Sequence, residues 1–151
     1  MILVQEQDFD PALLLSYLSE EDAGIGGVGI FLGLVRDSHQ GRRIFSLTLE
    51  HYPAMTQKAL DEIAAEARYR WPLHRLVIVH RVGRLLPGER IVFVGTSSAH
   101  RQDALDACHF LIDWLKTKAP FWKREETPEG DIWVEAKASD EARANLWAPS
   151  P

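Results

Sequence analysis

The run from Val28 to Val35 constrains this chain most, because Val28, Ile30, Phe31, Leu32, Leu34 and Val35 make it apolar and β-prone almost throughout. Such a run reads as a strand buried on both faces or nearly so. It stops far short of the ~18 apolar residues that a membrane-spanning helix needs, and no other run approaches that length.

Strand-like and helix-like segments alternate around it. Ile2-Leu-Val4 reads as a short strand, and Asp10-Pro11 as an N-cap with proline at the first helical position, opening a helix through Leu18. Gly24-Ile-Gly-Gly27 ends that helix. After Val35 the polar stretch Arg36 to Arg43 forms a basic loop, and Ile44 to His51 resumes as a strand. Pro53 starts a helix to about Trp71 with Leu60, Ile63, Ala64 and Ala67 at helical spacing. Leu76 to His80 and Arg90 to Val94 are strands separated by the turn Leu86-Pro-Gly-Glu89. Ser97 or Ser98 caps a helix to about Thr117, with Leu105, Cys108, Leu111, Ile112 and Leu115 as its apolar stripe and Pro120 as its stop. A strand over Ile132–Ala136 and a helical piece over Ser139–Trp147 complete the chain. The expectation is one α+β domain over residues 1–151, with mixed or antiparallel strands, flanking helices and a frayed tail over 147–151.

Composition removes several function classes. The single cysteine, Cys108, allows no internal disulfide and no Cys-x-x-Cys pair, and suits a reducing compartment. On the apolar stripe it is a poor sulfur-carrying thiolate, which needs exposure and positive surroundings. A net charge of −5 argues against general nucleic-acid binding. The opening Met1-Ile-Leu-Val-Gln-Glu6 has neither a basic leader nor a cleavage site, so a cytoplasmic location is expected. The six histidines show no metal-ligand spacing, so no metal is expected. Gly24-Ile-Gly-Gly-Val-Gly29 precedes a strand rather than a helix, which excludes a dinucleotide fingerprint.

Charge is nevertheless concentrated. Lys116, Lys118, Lys123 and Arg124 fall within nine residues, followed at once by Glu125, Glu126, Glu129 and Asp131. At 100° per residue Lys116 lies about 20° from Leu105, inside the apolar stripe. It reads either as a cation favouring a helix C-terminus, its stem snorkelling over apolar neighbours, or as a lysine whose pKa is lowered by burial and nearby cations. Spacing alone does not choose. The turn Lys118 to Glu125 sets Phe121 and Trp122 beside two cations, to stack on a flat heterocycle or to plug the core. Arg36, with Arg42 and Arg43, sits on a loop suited to anions or is a solvated surface charge. His100-Arg101 opens the helix that Lys116 ends, roughly 22 Å away at 1.5 Å per residue, so a small ligand cannot touch both within one chain. If both serve one site, a second copy must supply one of them.

Leu47-Thr-Leu-Glu-His-Tyr-Pro-Ala-Met55, His80-Arg-Val-Gly83, Ser98-Ala-His-Arg101 and, above all, Leu115-Lys-Thr-Lys-Ala-Pro-Phe-Trp-Lys-Arg-Glu125 resemble the large subunit of molybdopterin synthase. The similarity runs from about Gly26 to Trp147. It implies an α/β-hammerhead type of fold and a homodimer flanked by two small ubiquitin-like sulfur carriers, together a heterotetramer. Each carrier's C-terminal Gly-Gly thiocarboxylate would deliver sulfur, and two transfers convert cyclic pyranopterin monophosphate to molybdopterin without a bound cofactor. By motif, Lys116 and Lys123 are the implied catalytic pair. Arg36, His100 and Arg101 would bind phosphate and pterin. Phe31, Leu34, Val35, Arg124 and Glu125 would shape the pocket. Lys137 stands where arginine is expected in relatives, keeping the charge but not the bidentate geometry. The rival readings are a non-catalytic module gripping a ubiquitin-like tail and an RNA-binding patch with stacked aromatics.

Overall fold

The structure is a computed structural model and describes residues 1–135 and 137–148. Its first sheet has the order β1 (Ile2–Gln5), β6 (Leu73–Arg81), β8 (Arg90–Ser98), β2 (Gly27–Leu34). Only the β1–β6 pair is parallel; β6–β8 and β8–β2 are antiparallel. A second, antiparallel sheet runs β10 (Gly130–Val134), β9 (Phe121–Thr127), β5 (Ser46–His51), β7 (Gly83–Leu85). A small hairpin pairs β3 (Ser38–His39) with β4 (Arg42–Arg43). Four helices complete the chain: α1 (Pro11–Ser19), α2 (Pro53–Arg70), α3 (Arg101–Thr117) and α4 (Ala138–Asn145). The class is α+β, as the alternating patterns imply.

Alternation along the strands assigns the layers. Leu76 and Ile78 of β6 face α2 and α3, where Leu60, Ala67, Cys108 and Leu111 close the main core. Val77 and Val79 face the other way, onto Leu14 and Leu18 of α1. Asp10 caps α1 as expected, its carboxylate accepting from the Ala12 N–H at 2.9 Å. A third cluster, Val35, Leu49, Val82 and Leu85, joins the two sheets.

Four expectations are corrected. β2 is packed by α3 on the face of Gly27 and Gly29, and on its other face Ile30, Leu32 and Leu34 are 43%, 37% and 50% exposed. Ser97 and Ser98 are the last residues of β8 rather than caps; α3 starts at Arg101 behind His100, which makes no side-chain cap bond. Leu105 is 54% exposed, because the face that packs carries Ala104, Ala107, Cys108, Leu111 and Leu115. The segment after Pro120 is a strand from Phe121 onward, not a turn. Ala136, at the end of the expected strand, and residues 149–151 of the expected tail lie outside the described residues.

Glycine decides how closely α3 approaches the sheet. A Cβ on Gly29 would stand 2.8 Å from the Ala104 carbonyl oxygen and 3.2 Å from the Cys108 Cβ, so the helix backbone rests directly on the strand. Replacing Gly29 with alanine is expected to lower stability by about 1–3 kcal/mol, since a backbone carbonyl cannot step aside as a flexible side chain would. Urea midpoints of Gly29→Ala against wild type check this. An unchanged midpoint would show that the contact is slack.

Candidate active site

The strand Gly27–Leu34 and the helix Arg101–Thr117 run side by side in the same direction. Gly27 lies against Arg101, and Gly29 against Ala104 and Cys108. At about 3.3 Å per strand residue and 1.5 Å per helix residue, the end of β2 and the end of α3 therefore arrive together. There they open a cavity of about 500 Å³, reached by Leu34, Val35 and Arg36 from the strand end and by Ile112, Leu115 and Lys116 from the helix end.

The second sheet supplies the opposite wall. Because β9 is a strand, its residues alternate: Phe121, Lys123 and Glu125 face the cavity, while Trp122 and Arg124 face outward. Arg124 lies 3.7 Å from Asp131 and over the Trp133 ring, and Trp122 packs edge-on against Tyr52. The two aromatics of the motif thus share no face, and no two-ring stacking platform forms. Helix α4 adds Lys137 and Asp140 to the rim. It is held by Asp113 of α3, which accepts from the Trp147 indole N–H at 2.6 Å and lies 3.3 Å from Arg143.

Of the residues singled out from the sequence, Phe31, Leu34, Val35, Arg36, Lys116, Lys123, Glu125 and Lys137 line this cavity. Arg124 does not, and His100 and Arg101 stand at the other end of α3. Sequence reasoning gave no site role to His80, His39 or Asp140, which line it too. His80 was visible only as part of the His80-Arg-Val-Gly83 motif. His39 and Asp140 carried no sequence signal, because the groups they act on, Glu125 and the two lysines, are far away along the chain.

Concentrated cations set the electrostatics. Burial, with Lys116 alongside, pulls the Lys123 pKa down to about 8, against a smaller opposing pull from Asp140. Lys116 is exposed at the mouth, yet the surrounding walls lower its pKa too; Asp140 opposes the shift, and Arg36 and Lys137 reinforce it. Burial holds His80 at about 3, so it is neutral. Its Nδ1–H donates to the Arg81 carbonyl at 2.8 Å, and its ring stacks on Phe121 with centroids 4.1 Å apart. The lone thiol is no reagent: burial pushes Cys108 up to about 12. The cavity thus offers two lysines whose pKa values are lowered, Lys123 to about 8, an anion-attracting rim, and no sulfur of its own.

Residues 4–118 match the family model described as MoaE protein. The chain is 58% identical to the molybdopterin synthase catalytic subunit of Pseudomonas aeruginosa and 53% identical to that of Escherichia coli, each over 97% of both chains. A solved molybdopterin biosynthesis MoaE protein from Burkholderia ambifaria superimposes with a TM-score of 0.82 and 48% identity, over 97% of each chain. Family model, curated relatives and fold agree with one another: this chain belongs to the MoaE family, the catalytic subunits of molybdopterin synthase.

Proposed function

We propose that this enzyme converts cyclic pyranopterin monophosphate to molybdopterin, taking sulfur from the C-terminal Gly-Gly thiocarboxylate of a small ubiquitin-like carrier. The observation that carries the reading is the pairing of two pKa-lowered lysines in a cavity whose chain has no usable thiol. Sulfur must then come from outside, and a cationic pocket suits both an anionic tail and a phosphate-bearing substrate.

Freeing sulfur from an acyl carbon passes through a tetrahedral oxyanion. Lys116 at the mouth and Lys123 deeper in act there as acid and base and as counter-charge, with Arg36 and Lys137 drawing in the anions. Glu125 and Phe31 shape the walls. A partly neutral Lys123 is suited to take a proton, and its ammonium to return one.

His100 and Arg101 enter this scheme only through a second copy of the chain. Two features support a homodimer with composite sites, and hence a heterotetramer with the carriers. Arg101 and Lys116 sit roughly 22 Å apart along α3, and β2 presents a free edge with Ile30, Leu32 and Leu34 exposed. In the composite site Arg124 has no direct part, being committed to Asp131 and Trp133. A cytoplasmic setting suits the single, buried cysteine. No described helix is long and apolar enough to cross a membrane.

Three outcomes are expected. Lys116→Ala lowers kcat for dithiolene formation by about 10²–10⁴-fold with purified thiocarboxylated carrier; near wild-type turnover ends the assignment. Mixing Lys116→Ala chains with Arg101→Ala chains restores activity through hybrid dimers holding one intact site, whereas mixtures as inactive as their parents would count against shared sites. Because the Lys116 charge depresses Lys123, Lys116→Ala also raises the Lys123 pKa above about 8, as read by NMR titration of the side-chain Nζ. A fall would reverse the electrostatic account.

A further inference from the structure

One ring nitrogen on the cavity wall is left without a partner. His39, at the end of β3, places its Nδ1 2.9 Å from Oε1 of Glu125, and the two side chains are only 10% and 8% exposed. A carboxylate oxygen accepts, so the shared proton sits on Nδ1, and a ring holding that single proton keeps its lone pair on Nε2. That Nε2 is buried and has no hydrogen-bond partner, although His39 lines the cavity. Buried polar atoms are normally satisfied, and one left bare in a cavity wall marks a bond still to be made.

The arrangement has a counterpart. Phe121, Lys123 and Glu125 are successive inward residues of β9, with His80 stacked on Phe121 and His39 bonded to Glu125. His80 also gives its Nδ1–H away, to the Arg81 carbonyl. Two imidazoles with Nδ1 committed to a neighbour therefore flank Lys123. The cations of the cavity, Arg36, Lys116, Lys123 and Lys137, can only donate. Anionic groups of a ligand belong with those cations, and the Glu125 carboxylate turns anions away from the His39 end. What His39 can receive is a neutral N–H donor.

Resting on the sulfur-transfer reading, we propose that His39 is a specificity residue whose Nε2 accepts a hydrogen bond from an N–H of the substrate's heterocycle. Glu125 is its positioning residue and fixes the tautomer. A heterocycle carrying amino and lactam N–H groups at one end and a phosphate at the other matches this polarity, whereas the tail's charged terminus is drawn to the lysines.

The test uses the assembled enzyme with thiocarboxylated carrier and cyclic pyranopterin monophosphate. His39→Leu is expected to raise KM for the pterin about tenfold with kcat within about twofold, the signature of lost uniform binding. His39→Gln, which keeps an acceptor, recovers most of that loss. In ¹⁵N NMR of the wild-type imidazole, Nε2 is unprotonated in the free protein and shifts on adding the pterin, but not on adding carboxylate-terminated carrier. Glu125→Leu, which leaves Nδ1 without an acceptor, abolishes that shift by releasing the tautomer. An unchanged KM in folded His39→Leu, a protonated Nε2 before substrate, or a shift produced by the carrier alone each overturns the proposal. A wild type that binds the pterin at Nε2 but forms no dithiolene overturns only the sulfur-transfer reading, because the titration does not depend on turnover.

Discussion

The close packing of α3 on β2 is the contact on which the rest of this structure depends. It exists because Gly29 offers no side chain where the Ala104 carbonyl and Cys108 need the space. Two elements that touch this closely and run the same way must deliver their ends to the same place. Arg36 and Lys116 therefore meet, although they are far apart in sequence, while Arg101 is carried away from them by the length of its own helix. The same contact gives Gly27 and Gly29 of the glycine-rich segment a packing role, against Arg101 and against Ala104 and Cys108.

The cavity that results is electrostatically costly, and the chain manages the cost with local devices. Its cations stand together in a molecule whose net charge is −5. Burial, reinforced by like-charge proximity, pushes Lys123 and Lys116 toward the neutral amine, and burial keeps His80 uncharged, so one potential positive charge is withheld. Asp140 acts in the opposite sense on both lysines. It reaches them because Asp113 fastens α4 through Trp147 and Arg143. The C-terminal helix is thus part of the site's charge balance as well as a cover for the core.

Much of this was readable from residue order. The class of the fold followed from alternating periods, and Asp10-Pro11 announced α1 because capping is a local interaction. Lys116 and Lys123 could be paired because both belong to one unusual stretch. Where the reading failed, the missing information was long-range. Leu105 looked like a stripe residue until the close contact with β2 rotated the packed face toward Ala104 and Cys108. Trp122 and Arg124 looked like neighbours of Phe121 and Lys123 until strand pairing with β5 and β10 set them on opposite faces.

By itself, then, the sequence determined the local quantities: which segments are helix or strand, where most of the caps and breaks fall, that the chain owns no sulfur suited to transfer, and that its positive charge gathers near the end of one helix. Only the tertiary structure decided which charges share a cavity. His39 against Glu125, Asp140 beside the lysines and His80 stacked on Phe121 all join residues distant along the chain. The physical reason is that a side chain's field and hydrogen bonds act through a few ångströms of space. Folding, and not residue order, sets which groups stand within that reach.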